Sequence, residues 1–531
     1  MSRVAAVADL CTTDGVDAEE AAAVPDGRHL ATTLAGLAGL VVVSALRRLE
    51  GQGFPLWSDE GISLGIASHR LADIPTVLRL DGSPPSYYVL LHGWTRWWGD
   101  SATAVRSLSL LLALAAIPVS YWAGKSLFGR RAGWMAAVLA ATSPYLTLHS
   151  REARMYTLVV VLSLVAAAAF THGFVLRERR WLPAFVASTA LLVHTHNWGV
   201  FFVVGTATAA AWCAVTAGPQ RRAQVVDSAI AFVAVGALCL PWMAVLVDQV
   251  AHTGAPWSRR PAIGAMVVAL GSVLGGVAVA AVVLAGLVPL ARAVRRQPAL
   301  AEHRGAVALA VVVSATLGAA WSASQVEPAW SPRYTGVLLG PLLLLVALAL
   351  ARAGRAGVVG VALGAVLGMV PVGRAVPKGN VETVAQQVAG VVRPGDVVMS
   401  TQMEQVPLLR HELGPNLRYA DPTGLVDDPR VADWRDAFDR LSAADPAAVL
   451  APLVEGLAEG GHVMVVCPRP SATPDDLAWY RLMDSHCEAV HDALSRTPGL
   501  TRVLGPFPDP SSAGPGVSVV ASVYERSVAP R

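Results

Sequence analysis

The sequence predicts a polytopic α-helical membrane protein that ends in a C-terminal α/β domain. Three observations carry that expectation. Only 15% of the 531 residues are charged and 54% are hydrophobic, whereas soluble chains carry about 25% charged residues. Apolar runs of membrane-spanning length recur through the first 372 residues. Beyond residue 379 the pattern changes to short Val-rich runs separated by helical stretches, the alternation of an α/β unit. The net charge of +3 is too small to suggest a nucleic-acid partner. Lysine occurs only at Lys125 and Lys378, the usage expected of a GC-rich, actinobacterial-type genome.

In chain order, residues 1–28 are polar and acidic and lack the basic start and short apolar core of a cleavable signal, so they read as a disordered tail. Eleven runs then read as transmembrane helices: 29–48, 103–124, 132–149, 155–176, 181–196, 199–217, 225–247, 263–290, 306–322, 334–351 and 356–372. Arg and Lys assign the sides. Five connections (125–131, 177–180, 220–222, 291–304 and 351–355) hold fourteen of them, and the alternate connections 150–154, 197–198, 248–262 and 323–333 hold five. Because positive loops stay in the cytoplasm, residues 1–28 are expected inside. The loop 50–102 and everything after about 373 are expected outside the plasma membrane. Asp59, Glu60, Asp81, Glu152, Arg154, His196 and Arg333 then fall at span ends on one face, as ionisable residues sharing a cavity would.

The segment 379–531 is expected to form one extracytoplasmic domain, with strands in "GDVVMS", "GHVMVVCPRP" and "GVSVVASVYER" and helices near 429–442 and 474–497. In an oxidising space Cys467 and Cys487 either pair or remain two free thiols. No catalytic motif is visible in this domain.

The chemistry concentrates in four stretches of the membrane part. "WSDEG" places Asp59 and Glu60 just after the first span, in a loop whose pieces "LADIPTVLRL" and "PPSYYVLLHGWTRWW" are expected along the interface, with Tyr87, Tyr88, Trp94, Trp97 and Trp98 at headgroup depth. A partly desolvated carboxylate there is suited to a general base. "SREARMYTL" sets Glu152, Arg154 and Tyr156 at a span mouth. This is either a local ion pair or, with Arg154, a phosphate site, since guanidinium matches phosphate oxygens. In "HTHNWG" the His194/His196 spacing suits a shared metal poorly, because i and i+2 diverge on a helix. His196 and Asn197 fit better as cavity residues. "WSPRYTG" supplies Arg333 and Tyr334, with Arg333 either snorkelling or serving as a second phosphate ligand.

These stretches, with "GSPPSYYVLLHGW" closing the first loop, resemble the C-type superfamily of membrane glycosyltransferases (the GT-C fold). The likeness is to the bacterial branch related to protein O-mannosyltransferases and lipid A aminoarabinose transferases, and it covers residues 29–372. The resemblance implies an inverting transfer of a sugar from a polyprenyl-phosphate donor to an acceptor hydroxyl of an envelope glycolipid, polysaccharide or protein. Asp59 would be the catalytic base, with Glu60 shaping the pocket. Arg154, Arg333 and Tyr334 would hold the donor phosphate. Asp81, Ser83, Glu152, Tyr156, His196 and Asn197 would line the cavity and the acceptor side. Relatives often carry a histidine before the paired prolines where this chain has Ser83, so Asp81 or Ser83 is expected to take its place. The tail domain resembles extracytoplasmic domains that shape acceptor access. Mannose is the first expectation for the sugar and arabinofuranose the alternative. No cofactor is expected, although a divalent metal held by Glu60 and Glu152 stays open. The rival classes are a transporter or lipid flippase, which would place its charges near the midplane between repeats, and a scaffold presenting the tail domain.

Overall fold

The computed structural model describes residues 27–369, 376–469, 477–508 and 518–527, so the expected 1–28 tail lies almost wholly outside the described residues. The chain enters through α1 (Gly27–Arg48). The first loop folds into three helices, α2 (Ser58–Ala67), α3 (Ile74–Asp81) and α4 (Ser86–Trp98). There follow α5 (Ala102–Phe128), α6 (Arg130–Thr142), α7 (Pro144–His149), α8 (Tyr156–Phe170), α9 (Leu182–Val193), α10 (Gly199–Val215), α11 (Arg221–His252), α12 (Ala265–Leu274), α13 (Val277–Arg296), α14 (Ala301–Val326), α15 (Leu339–Arg352) and α16 (Gly354–Met369).

Each of the eleven expected spans holds helix among its described residues, but their lengths differ. Among the described residues six helical stretches are long and apolar enough to cross a membrane: Arg28–Arg48, Ala102–Phe128, Tyr156–Val175, Gly218–His252, Ala301–Val326 and Pro332–Arg352. The α12–α13 pair, bent by 86°, adds a seventh if it counts as one span. The runs at 132–149, 181–196, 199–217 and 356–372 form shorter helices. The first breaks at Ser143, since the residue before a proline avoids the helical region. The 12-residue α9 rises about 18 Å, short of the ~30 Å hydrocarbon core. The first loop also differs from expectation. Tyr87 and Tyr88 are fully buried, while Trp97 and Trp98 are the exposed aromatics of α4, at 87% and 65%.

The tail domain opens with α17 (Val381–Val388), followed by β1 (Val397–Ser400), α18 (Val406–Leu413), β2 (Arg418–Asp421) and β3 (Gly424–Leu425). It continues through α19 (Ala437–Ala443), α20 (Pro446–Glu455), β4 (His462–Pro468), α21 (Ala478–Arg496), β5 (Leu500–Phe507) and β6 (Val519–Arg526). The six strands form one sheet in the order β3-β2-β1-β4-β6-β5. β1 lies parallel to both neighbours, with Val397 opposite Arg418 and Val463, and the remaining pairs are antiparallel. Val-rich β1, parallel to both neighbours and covered on both faces, buries every side chain, and β4 beside it buries all but Pro468. The helix expected at 429–442 starts only at Ala437, and the first residues of the one expected at 474–497 lie outside the described residues. Cys467 and Cys487 form a disulfide with Cα atoms 5.7 Å apart.

The tail domain sits directly on the first loop. A Cβ on Gly61 would lie 2.5 Å from Leu408 Cβ, and one on Gly65 would lie 2.0 Å from the Arg430 carbonyl oxygen. Only a glycine pair one turn apart on α2 permits that approach. Around this contact, Trp434 N–H donates to the Leu80 carbonyl at 2.9 Å and Asp436 N–H to that of His252 at 2.7 Å. His69 Nε2 meets Asp428 at 2.7 Å. The fold therefore clamps the first loop between the helix bundle and the tail domain, with a cavity at the junction.

Candidate active site

α2 begins at Ser58, so Asp59 and Glu60 stand in its first turn about 100° apart around the axis. They face different surroundings. Glu60 turns into protein: its carboxylate is gripped by Arg106 from α5, with Nη2–Oε2 at 2.5 Å and Nε–Oε1 at 2.7 Å. It also accepts the N–H groups of Ala153 at 2.8 Å and Trp57 at 3.3 Å. Fully buried and saturated, Glu60 fixes the start of α2 and the 150–155 loop; it does not line the cavity and has no route to a substrate.

Asp59 faces a cavity of about 310 Å³. Arg333 Nη1 lies 2.7 Å from Asp59 Oδ2, and Arg154 Nε lies 4.0 Å from the same oxygen. Arg154 is held by the Asp59 carbonyl at 3.2 Å and by Ser63 Oγ at 3.1 Å. The Arg333 backbone carbonyl accepts the Tyr145 hydroxyl at 2.5 Å. The Nε–H groups of both arginines are buried without a partner, so each retains donor capacity beyond what Asp59 takes.

Asp81, Ser83, Tyr156, His196, Asn197 and Tyr334 line the same cavity. Burial pushes the Asp81 carboxyl up, an effect that Arg154 and a Ser83 hydrogen bond partly offset. Tyr88 donates to Asp81 at 3.4 Å. Gly82, which ends α3 at φ 84°, has no room for a side chain, since a Cβ would meet Thr253 Oγ1 at 2.7 Å. Its carbonyl accepts Asn197 Nδ2 at 3.1 Å. His196 lies between Tyr156 and Tyr334, with ring centroids 6.0 and 4.9 Å away. Trp198 N–H donates to its Nδ1 at 3.1 Å, which places the proton on Nε2.

Glu152, expected in the cavity, lies behind its wall. His149 Nδ1 at 3.1 Å and the Lys378 ammonium hold it and, against the opposing effect of burial, bring its pKa down to about 2. Arg106 already holds Glu60, and His149 and Lys378 hold Glu152, so the carboxylates of a shared Glu60–Glu152 metal site are already engaged. Cys467, Cys487 and His491 are the one group among the described residues with metal-ligand spacing, and the disulfide uses both sulfurs.

The sequence reading missed the outer wall. Gln402 and Glu404, in the loop after β1, line the cavity together with Trp257, Trp434, Trp479 and Tyr480. Burial, with the Asp59 charge adding to it, pushes Glu404 up to about 7. The available signal was the polar run "STQMEQ" directly after a Val-rich strand.

No family model matches the chain, and no curated protein matches it either. Solved structures do match. ArnT from Cupriavidus metallidurans in the apo state superposes with a TM-score of 0.62 at 14% identity, covering 93% of this chain and 98% of that one. ArnT from the same organism bound to undecaprenyl phosphate gives 0.59 at 13% identity with the same coverage. The archaeal oligosaccharyltransferase AglB from Archaeoglobus fulgidus, in complex with an inhibitory peptide and a dolichol-phosphate, gives 0.53 at 11% identity, covering 88% of this chain and 73% of that one. The chain shares the fold of these solved structures.

Proposed function

We propose that the protein is an inverting glycosyltransferase that moves a sugar, mannose in the first instance, from a polyprenyl-phosphate donor to an envelope acceptor hydroxyl. The observation that carries this reading is the convergence of Arg154 and Arg333 on Asp59 inside one cavity. The fold is shared with a protein solved with undecaprenyl phosphate and another solved with a dolichol-phosphate. In this reading the donor phosphate takes guanidinium N–H groups that now hold Asp59, which releases the carboxylate toward the acceptor. The acceptor oxygen bonds to the anomeric carbon as the sugar–phosphate bond breaks. The bonding electrons leave with polyprenyl phosphate, and the acceptor proton passes to Asp59. Negative charge growing on the phosphate meets two fixed cations whose positions are set before the reaction, the arrangement by which preorganised charge stabilises a transition state. The guanidinium pair supplies the charge a divalent metal would otherwise bring, so we propose no metal or other cofactor.

The four shorter apolar helices complete an eleven-span bundle in this reading, with the N-terminus cytoplasmic and the tail domain outside. The Cys467–Cys487 disulfide supports that side for the tail, since structural disulfides persist in oxidising spaces. A transporter is disfavoured because the charges gather at one end of the bundle, under a docked domain, rather than along a path. Purified full-length protein in lipid nanodiscs, given labelled polyprenyl-phosphate mannose or arabinofuranose with envelope acceptors, tests the proposal. Transfer from one donor, reduced about 10²–10⁴-fold in Asp59→Asn, is the expected result. Absence of transfer from both donors would remove the enzyme reading, and transfer surviving in Asp59→Asn would remove the base.

A further inference from the structure

The loop after β1 sits where the chain's route through the sheet divides. From β1 the chain turns to β2 on one side and reaches β4 on the other, both parallel to it. The crevice beyond the carboxyl end of such a strand is where open α/β sheets bind ligands. Here that crevice opens onto the cavity described above. Gln402 is only 5% exposed, yet its Oε1 has no hydrogen-bond partner, and Glu404 Oε2 is also buried without one. Buried polar atoms are normally satisfied, so two unsatisfied ones facing a cavity are open to a polar ligand. Beside them Trp434 stands edge-on to Trp257, with ring centroids 4.6 Å apart, and 5.6 Å from Trp479. The outer wall thus combines a broad aromatic surface with a few unpartnered polar groups, the usual composition of a small-molecule subsite.

We propose that Gln402 and Glu404 form a carbohydrate subsite that binds the hydroxyls of one sugar ring, with Trp434 and Trp479 as its apolar wall. The identity of the ligand rests on the glycosyl-transfer reading, which this subsite deepens. An amide oxygen accepts one hydroxyl proton, and a protonated carboxyl both donates and accepts, which matches neighbouring hydroxyls. The elevated pKa of Glu404 keeps much of its carboxyl neutral near pH 7. An anionic group is better served across the cavity, at Arg154 and Arg333. The ring belongs either to the donor or to the acceptor, and the chemistry of the subsite is the same for both.

The test is saturation-transfer NMR on the full chain in nanodiscs, with methyl α-mannopyranoside and methyl α-arabinofuranoside as probes. At least one glycoside should give ring-proton signals with the wild type. Those signals should fall at least fivefold in Gln402→Ala and in Glu404→Leu, recover in part in Glu404→Gln, and persist in Arg333→Ala. Loss of the signal on adding polyprenyl-phosphate mannose, but not bare undecaprenyl phosphate, assigns the ring to the donor. Persistence with both assigns it to the acceptor. No signal from either glycoside, or an unchanged signal in folded Gln402→Ala and Glu404→Leu, overturns the subsite. Because binding is read without turnover, a wild type that binds a glycoside through these side chains but transfers no sugar would sink the transferase reading and leave the subsite standing.

Discussion

On the membrane side of the cavity Asp59 lies against Arg333 and Arg154, whereas on the tail-domain side Gln402 and Glu404 present oxygens to which nothing donates. Both walls border the same cavity, so the contrast reflects the chemistry of the groups. An ion buried without a partner is strongly unfavourable, so charges must be settled before any ligand arrives. Neutral polar groups tolerate a vacant partner at lower cost and can be left for the ligand to satisfy. On the proposed reading the inner wall suits an anion exchanging with Asp59, and the outer wall suits hydroxyls.

The largest expected effect separates the two neighbours in "WSDEG". Glu60→Ala leaves Arg106 buried and unpaired, and breaking such a pair costs about 3–5 kcal/mol. Thermal denaturation in nanodiscs should show a marked loss of stability for Glu60→Ala and a smaller one for Asp59→Asn, whose ion pair with Arg333 is partly exposed, while Asp59→Asn loses transfer. If both variants destabilise alike, the division of roles between the two carboxylates is wrong. Next comes Arg333→Ala, which should lower kcat about 10²–10³-fold, as removal of one charge-stabilising donor typically does. Its backbone link to Tyr145 survives the truncation, so the protein should fold normally. A fall in donor affinity with kcat unchanged would reduce Arg333 to ground-state binding.

The inner wall was legible in the sequence because charge stands out in an apolar chain, and Asp59, Arg154 and Arg333 all meet at the cavity. The role of Glu60 was less legible. Reading it as a pocket residue overlooked that α2 begins at Ser58, which turns successive side chains apart, and its partner Arg106 lies 46 residues away. Glu152 failed for a similar reason: Lys378 reaches it from 226 residues on, across the start of the tail domain. The Val-rich strands were visible because each is buried on both faces. β5, only partly buried, carries no such pattern. Gln402 and Glu404 read as an ordinary polar loop, and only the docking of the tail domain on α2 brings them to the cavity.

That docking is itself open to test. Gly65→Ala pushes a methyl group into the Arg430 backbone, so the tail must shift outward. Overpacking of this kind costs about 1–3 kcal/mol. Hydrogen exchange should show faster opening of α18 and of the loop after β1, with α5 and α8 unaffected. Protection equal to wild type would mean that the outer wall does not depend on this contact.

The smallest effect probes the outer wall through pH. Glu404 titrates near 7 in the folded protein, against an ordinary value of 4.5. Between those values the unfolded chain has released a proton that the folded chain keeps, so stability falls as pH rises through the window and levels off above it. Glu412, pushed up to about 7 by burial and by Glu382, slopes the same way. Glu404→Gln should therefore remove only part of the decline, on the order of 1 kcal/mol between about pH 5 and pH 7. A glycoside bound to a neutral Glu404 should steepen the wild-type decline, because its own affinity weakens as the carboxyl ionises, and should leave the variant's profile unchanged in shape. Identical profiles for wild type and Glu404→Gln would mean that Glu404 already finds a partner, and the contrast between the two walls would disappear.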